Sequence, residues 1–272
     1  MKISFQQAYI QPNFSAKKPE IRKADDIQRK AKANFPMFSP SYLREFYILP
    51  KKCVDDTKLN RTRQIAQRIV YKINAARECD RQDLEYCYKW NPYRKEIPYT
   101  RTLQRIKGSK IGNCEEASCA TMATLAANGY YDSKRMSLVL KGQLVNKKTK
   151  KIEYTTIPHS LDHAFVVSSL GKENATEKDL IVLDSWYGFA DSISKAKEKY
   201  QKLADNPKVK NDIKEELSLY RVDYFSETGK ILDWNDYDIK YSIQFKEKEN
   251  YTENDIKALG IHARMIYPHL CL

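Results

Sequence analysis

The chain has 272 residues, of which 42% are hydrophobic, and a formal net charge of +13 at pH 7. That length and apolar content are enough for one large domain, or for a domain with an extension, that buries its own core. No apolar run is long enough to cross a bilayer, and the first residues lack the apolar centre of a secretory signal. We therefore expect neither a membrane span nor secretion by that common route.

The beginning of the chain is polar and basic. Residues 1–40 contain Pro12, Pro19, Pro36 and Pro40 and show little hydrophobic periodicity. This pattern predicts an extended or disordered leader.

Helices are predicted to follow from about Ser41 to Cys87, where apolar residues recur among arginines and lysines at roughly helical spacing. Asn91-Pro92 and Pro98 should interrupt them. The turn pair Gly112-Asn113 then leads into a stretch that is rich in good helix formers.

Four apolar segments after this helix are predicted to form strands, at residues 135–144, 151–157, 160–169 and 180–186. A lysine-rich turn at residues 145–150 joins the first two. A helix over residues 192–204 and a hairpin of residues 217–225 with 231–234 should follow.

This order of elements indicates an α+β protein. We expect a single domain over residues 41–272, made of a helical part (41–107), a core (108–190) and a part with a helix and a hairpin (191–272).

The positive charge is concentrated in the first part of the chain. Residues 1–110 carry 25 Lys and Arg against 11 Asp and Glu, or +14, whereas residues 111–272 carry 23 against 24, or −1. The simpler interpretation is that these basic residues form the water-exposed faces of helices. They could also steer an acidic protein, an anionic membrane or nucleic acid towards the chain. The near-neutral second part argues against nucleic acid, because basic residues should otherwise continue across the folded surface.

The six cysteines show neither a CxxC pair nor the compact spacing of a disulfide framework, which favours a reducing compartment. His159 and His163 have the spacing of ligands on a helix, but Pro158 and the apolar run that follows favour a strand there. Neither an HExxH motif nor a cysteine knuckle is present, so we expect no metal ion and no other cofactor.

Three polar residues stand in recognisable local contexts. Cys114 follows a turn at the start of a helix, His163 lies in an apolar strand, and Asp184 ends the next apolar strand. A cysteine, a histidine and a carboxylate that meet in space can serve as nucleophile, base and orienting group.

A thiol attacks a carbonyl as the thiolate, and the start of a helix favours that anion through the helix dipole. The same backbone N–H groups could form an oxyanion hole. Glu115 and Glu116 oppose the thiolate because they place negative charge in the same turn. Cys114 should therefore depend on an imidazolium partner, and His163 is the best candidate.

Each of these residues also has a simpler interpretation. Cys114 could be a small buried apolar side chain, His163 a core histidine and Asp184 a turn residue at a strand end. Their joint order and contexts favour the catalytic interpretation. Cys119 lies on another side of the same helix and is predicted to serve packing.

The segments 112–117, 162–166 and 182–186 resemble those of papain-like and transglutaminase-like cysteine enzymes, most of all the bacterial effector and toxin branch that deamidates protein glutamines. The resemblance covers roughly residues 108–188. It implies Cys114 as nucleophile, His163 as base and Asp184 as the residue that orients the base. It also implies a nucleophile helix packed on an antiparallel sheet, to which the helices predicted before residue 108 would add an N-terminal helical extension.

The chain departs from that branch at two positions, because Glu115 stands where the branch usually has Gly and Ser185 where it usually has Pro. In papain-like enzymes a glutamine upstream of the cysteine supplies an oxyanion donor. Gln104 is the candidate for that role here, with an ordinary surface glutamine as the alternative.

Deamidation of glutamine, peptide cleavage and transglutamination share this triad, and we favour deamidase or peptidase activity on a protein substrate. A protein-binding module on the same fold, without catalysis, is the alternative from another class. The expected location is the cytoplasm, or a target compartment reached by an effector that lacks a classical signal peptide.

Overall fold

The computed structural model describes residues 18–37, 56–90, 98–158, 163–205, 236–249 and 251–270. Its α-helices are α1 Pro19–Asn34, α2 Asp56–Trp90, α3 Pro98–Ser109, α4 Cys114–Ala127, α5 Ile193–Ala204 and α6 Glu253–Ile266. Its strands are β1 Lys134–Asn146, β2 Ile152–Pro158, β3 His163–Ser168, β4 Ile181–Asp184, β5 Phe189–Ser192 and β6 Tyr237–Glu247. The chain is thus α+β, with an antiparallel sheet.

The sheet has the strand order β2-β1-β3-β4-β5, and β6 pairs with β1. Strand β1 is longer than β3: Leu138 pairs with His163 at the start of β3, while Lys141 pairs with Pro158 of β2. His163 is therefore the first residue of β3 and lies against the middle of β1.

Helix α4 is the centre of the core. Residues 116–127 are all buried, and most of them are small, which lets neighbouring elements approach closely. A Cβ atom on Gly260 of α6 would lie 2.5 Å from the carbonyl oxygen of Ala126, so this crossing requires glycine. Helices α1, α3 and α6 contact α4, and β3 lies against it as well.

The two faces of the sheet carry different layers. Val166 and Leu183 belong to the cluster around α4, whereas Phe165 and Val182 pack with Tyr200 of α5 on the other face. Alternation along β3 places His163 on the same face as Phe165 and α5. Every residue of β3 is buried, as a strand covered on both faces should be.

The expected leader is wrong for residues 19–34, which form α1. Ile21, Ala24, Ile27 and Ala31 are buried along one face of this helix, and the backbone N–H of Ala190 in β5 donates to Asp25 at 2.9 Å. Proline at the first helical position is compatible with a helix because that N–H would have no partner within the helix. The rest of the predicted leader is described only at residues 18 and 35–37.

The predicted strands agree with β1 to β4 to within a few residues, and the predicted helix over 192–204 agrees with α5. The lysine-rich turn is present, and Asn146 accepts hydrogen bonds there from the backbone of Lys148 and Thr149. Strands β5 and β6 and helix α6 were not predicted. The predicted hairpin over 217–225 and 231–234 lies outside the described residues.

In the part of the chain that the structure describes, no helix combines the length and the apolar character needed to span a membrane.

Candidate active site

Cys114 is the first residue of α4 and is half-buried. The preceding Asn113 caps the helix: its side chain accepts a hydrogen bond from the backbone N–H of Glu115, and its own N–H donates to Glu116, each at 2.9 Å. This capping box fixes the turn and places the thiol at the positive end of the helix dipole. A Cβ atom on Gly112 would lie 2.7 Å from the Glu116 Cβ, so glycine is needed for this turn to pack.

His163 brings the thiol and a carboxylate together. Its Nε2 atom lies 2.6 Å from Oδ2 of Asp184, and its side chain forms a hydrogen bond with Cys114. Because Nε2 is engaged by the carboxylate, Nδ1 is the ring nitrogen left to interact with the thiol. The structure thus links the side chains of Cys114, His163 and Asp184 through consecutive hydrogen bonds.

The charge state of His163 follows from these neighbours. Burial lowers the pKa of the imidazole, but the charge and hydrogen bond of Asp184, with a further contribution from Cys114, raise the pKa to about 10. The ring is therefore an imidazolium at neutral pH, which is the state that stabilises a neighbouring thiolate.

Asp184 has a partner for each oxygen. Its Oδ1 atom accepts hydrogen bonds from the backbone of Trp186 and Tyr187, both at 3.0 Å. Its Oδ2 atom accepts from His163 and, at 2.5 Å, from the hydroxyl of Tyr200. A carboxylate that is 1% exposed needs such partners to offset the hydrogen bonds to water that it loses on burial. These bonds fix the carboxylate, which in turn fixes the imidazole ring.

Tyr200 is a site residue that the sequence analysis missed. It lies on α5, with Ala196 and Ala204 on the same buried face. Burial is the main reason why the pKa of its phenol is raised, and the negative charge of Asp184 raises it further. The Tyr200 hydroxyl therefore stays protonated at neutral pH and donates a hydrogen bond to Asp184. The spacing of Ala196, Tyr200 and Ala204 could have indicated a buried tyrosine, but its partner could not be read from that spacing.

Replacing Tyr200 with phenylalanine should lower the free energy of unfolding by about 1.5–3 kcal/mol, the range for a hydrogen bond to a charged group. The phenylalanine ring should retain the contacts with Phe165 and Phe245. Urea unfolding at neutral pH measures the loss. Equal stability of variant and wild type would show that the Tyr200 hydroxyl does not support Asp184.

Glu115 and Glu116 were expected to oppose the thiolate, but in the structure both are neutralised by cations. Nε and Nη2 of Arg77 each lie 2.9 Å from an oxygen of Glu116, and Arg105 lies 3.2 Å from it. Lys248 pairs with Glu115. Burial opposes ionisation of both carboxyls, yet these partners lower the pKa of each below its ordinary value. The net charge around the thiol is therefore far less negative than the sequence suggests.

Gln104 is exposed on α3, and its side-chain nitrogen lies 3.5 Å from Nε2 of His262 on α6. This contact does not support the predicted role of Gln104 as an oxyanion donor. Cys119 is fully buried, and its thiol donates to the carbonyl of Tyr99 at 3.7 Å. Burial raises the pKa of Cys119 far above its ordinary value, so this thiol is unreactive, which agrees with the predicted packing role.

Ser185, which stands where the resembling branch has proline, is also accounted for. Its hydroxyl accepts a hydrogen bond from Thr121 at 2.9 Å and donates to the carbonyl of Ala117 at 3.2 Å. Both partners lie on α4. The serine therefore ties the end of β4, directly after Asp184, to the helix that carries Cys114.

Two aromatic residues border the site. Tyr187 is half exposed, and its ring meets His163 edge-on with the ring centroids 4.7 Å apart. Trp186 lines a cavity of about 280 Å³ together with Ala117 of α4 and Met37. One side of the imidazole is thus shielded from water, and an apolar recess lies next to α4.

The described residues contain no group of three or more His, Cys, Asp or Glu side chains placed to hold a metal ion. Comparison with protein-family models, curated proteins and solved structures gives no match for this chain.

Proposed function

We propose that this protein is a cysteine hydrolase of the papain-like and transglutaminase-like kind, which acts on an amide of a protein substrate. The observation that carries the proposal is the connected arrangement of Cys114, His163 and Asp184, with the thiol at the start of α4. A buried imidazolium held 2.6 Å from its carboxylate is prepared to stabilise a thiolate on its other side.

In the first half of the proposed reaction, the Cys114 thiolate attacks the amide carbonyl. The negative charge that develops on the carbonyl oxygen is met by backbone N–H groups in the first turn of α4, with that of Cys114 as the candidate donor. His163 then gives its proton to the leaving nitrogen, the C–N bond breaks, and a thioester to Cys114 forms as ammonia or an amine departs.

In the second half, a water molecule attacks the thioester. His163, now neutral, takes a proton from this water, and the C–S bond breaks to release the acid and restore the thiolate–imidazolium pair. Asp184 and Tyr200 hold the ring in place through both proton transfers. The net reaction is hydrolysis of the amide.

The resemblance of the local motifs favours deamidation of glutamine or cleavage of a peptide bond as the physiological reaction. Transglutamination would follow if an amine instead of water resolved the thioester. The cysteine pattern favours the cytoplasm as the site of the reaction, or the reducing interior of a target cell if the protein is an exported effector.

Some basic residues within 1–110 form ion pairs with acidic residues of the same chain. Arg77 and Arg105 pair with Glu116, and Arg101 pairs with Asp83. Steering of an acidic substrate would therefore rest on cations elsewhere, such as the exposed Arg68.

Incubation with a library of glutamine-containing peptides, with and without hydroxylamine, should separate the possible reactions by mass spectrometry. A deamidase converts the side-chain amide to an acid, and hydroxylamine should divert the same thioester to a hydroxamate. Peptide fragments would indicate a peptidase, and peptide-to-amine crosslinks a transglutaminase. The Cys114→Ala variant is the control and should give none of these products.

The proposal would be wrong if no product depended on Cys114 and if iodoacetamide also labelled Cys114 no faster than the exposed Cys79. That pair of results would favour a binding module without catalysis on the same fold.

A further inference from the structure

The start of α4 is surrounded by cations that come from elements outside the region of family resemblance. Arg77 lies on α2, and Lys248 directly follows β6. Both contact the turn that carries Cys114, although Arg77 is 39 residues from Glu116 in sequence and Lys248 is 133 residues from Glu115. The first turn of the nucleophile helix is therefore assembled from three distant segments of the chain.

Arg77 makes the most extensive contacts of this group. It donates to both oxygens of Glu116 at 2.9 Å, donates to the capping side chain of Asn113 at 2.8 Å, and lies 3.2 Å from Glu115. The planar guanidinium suits this arrangement because it can bind a carboxylate through two parallel hydrogen bonds. One side chain thus joins the helix cap and both glutamates.

The burial of this cluster separates it from ordinary surface ion pairs. The Glu116 side chain is 1% exposed, and that of Arg77 is 29% exposed. A surface pair contributes little, whereas a buried carboxylate without its partner is strongly unfavourable. Lys248 is held in place in a similar way, because the neighbouring Glu249 pairs with Arg135 and accepts a hydrogen bond from Tyr99 at 2.6 Å.

The charges around the thiol can be compared directly. Glu115 and Glu116 place two negative charges beside Cys114, and Arg77, Arg105 and Lys248 oppose them, with Arg105 shared with Asp80 at 2.9 Å. His163 interacts with the thiol and with Asp184, and Asp184 accepts a hydrogen bond from Tyr200. Without Arg77, the balance in the first turn would become negative and would disfavour a thiolate.

We propose that Arg77 is a positioning residue of the active site, which neutralises Glu115 and Glu116 and so keeps Cys114 reactive. Helix α2 is then part of the catalytic apparatus, in addition to any docking role of the basic region. This inference rests on the proposed function, since it assigns a task to Arg77 in activating the same nucleophile.

The test is the rate of Cys114 alkylation by iodoacetamide as a function of pH, followed by mass spectrometry of the labelled peptide. Arg77→Gln should slow alkylation at pH 7 about tenfold and move the pH of half-maximal rate upward, because one nearby positive charge is lost. Glu116→Gln should instead speed alkylation at pH 7 and move the pH of half-maximal rate downward. Its amide oxygen can still accept the hydrogen bond from Asn113. The double variant Arg77→Gln/Glu116→Gln should return to within about threefold of wild type.

The opposite signs distinguish charge balance from simple disruption of the turn. If Glu116→Gln slowed alkylation as Arg77→Gln does, or if the double variant were as slow as Arg77→Gln, the proposal would be overturned. Arg77→Gln leaves Glu116 paired with Arg105, so it should fold, which circular dichroism can check. Should it not fold, Glu116→Gln and the double variant decide the question by themselves.

Arg81→Gln is the matched control, because Arg81 lies one turn further along α2 and pairs only with the exposed Glu78 and Glu85 among the described residues. It should leave the pH profile unchanged. His163→Ala separates the role of Arg77 from the proposed activation of Cys114. If His163→Ala slows alkylation and Arg77→Gln does not, only the role of Arg77 is wrong. If neither variant changes the profile, the proposed activation of Cys114 fails as well.

Discussion

Alanine in place of His163 should lower the turnover of an amide substrate by at least about a thousandfold, the size of effect seen when a member of a catalytic triad is removed. His163 links the thiol to Asp184 through contacts with both. Its loss removes both the cation that stabilises the thiolate and the acid that protonates the leaving nitrogen. Single-turnover kinetics measures the chemical step directly.

The same variant should lose the rapid alkylation of Cys114 relative to Cys79, since Cys79 is exposed and has no histidine partner in the described structure. His269→Ala is a suitable control, because it removes an exposed imidazole outside the site. It should change neither turnover nor alkylation. Turnover that survives in His163→Ala at near wild-type rate would mean that another group acts as the base.

Local sequence patterns were sufficient to predict the elements that carry the triad. Gly112-Asn113 followed by helix formers indicated the start of α4, and the capping box between Asn113 and Glu116 shows why the helix begins there. The apolar runs that contain His163 and Asp184 indicated strands because they are buried on both faces. These signals lie within a few residues of the positions that they predict.

The partners of the triad were missed because they come from distant parts of the chain. Tyr200 stands in a lysine-rich helix, where its hydroxyl could equally have faced water. Arg77 stands among many other basic residues, and nothing local distinguishes it from Arg81. Long-range contacts of this kind depend on how the elements pack, which single-sequence patterns do not specify.

Helix α1 was missed for a different reason. Its buried residues Ile21, Ala24, Ile27 and Ala31 follow a helical period, but the charged residues between them and the flanking prolines suggested an extended leader. Strand β6 also carries a sequence signal, because the apolar residues at 239, 241, 243 and 245 alternate with polar and charged ones. The helical period of α1 is confined to residues 21–31, so residues 1–40 as a whole show little periodicity.

The stability of the folded protein should depend on pH through His163. Its pKa is raised from an ordinary value of 6.5 to about 10, chiefly because Asp184 outweighs the effect of burial. A folded-state pKa above the unfolded one means that the folded protein binds more protons between these two values. The stabilisation is therefore complete below about pH 6.5 and is lost as pH rises towards 10.

The expected slope is a loss of at most about 1.4 kcal/mol per pH unit, the value for one proton. Urea unfolding from pH 6 to 9.5 would measure it, with His163→Gln as the reference, since glutamine can still donate to Asp184 but does not titrate. The difference in unfolding free energy between wild type and His163→Gln should shrink steadily across this range. A constant difference would show that the imidazole is not held as a cation by Asp184, and that the thiolate lacks the partner on which the proposed mechanism depends.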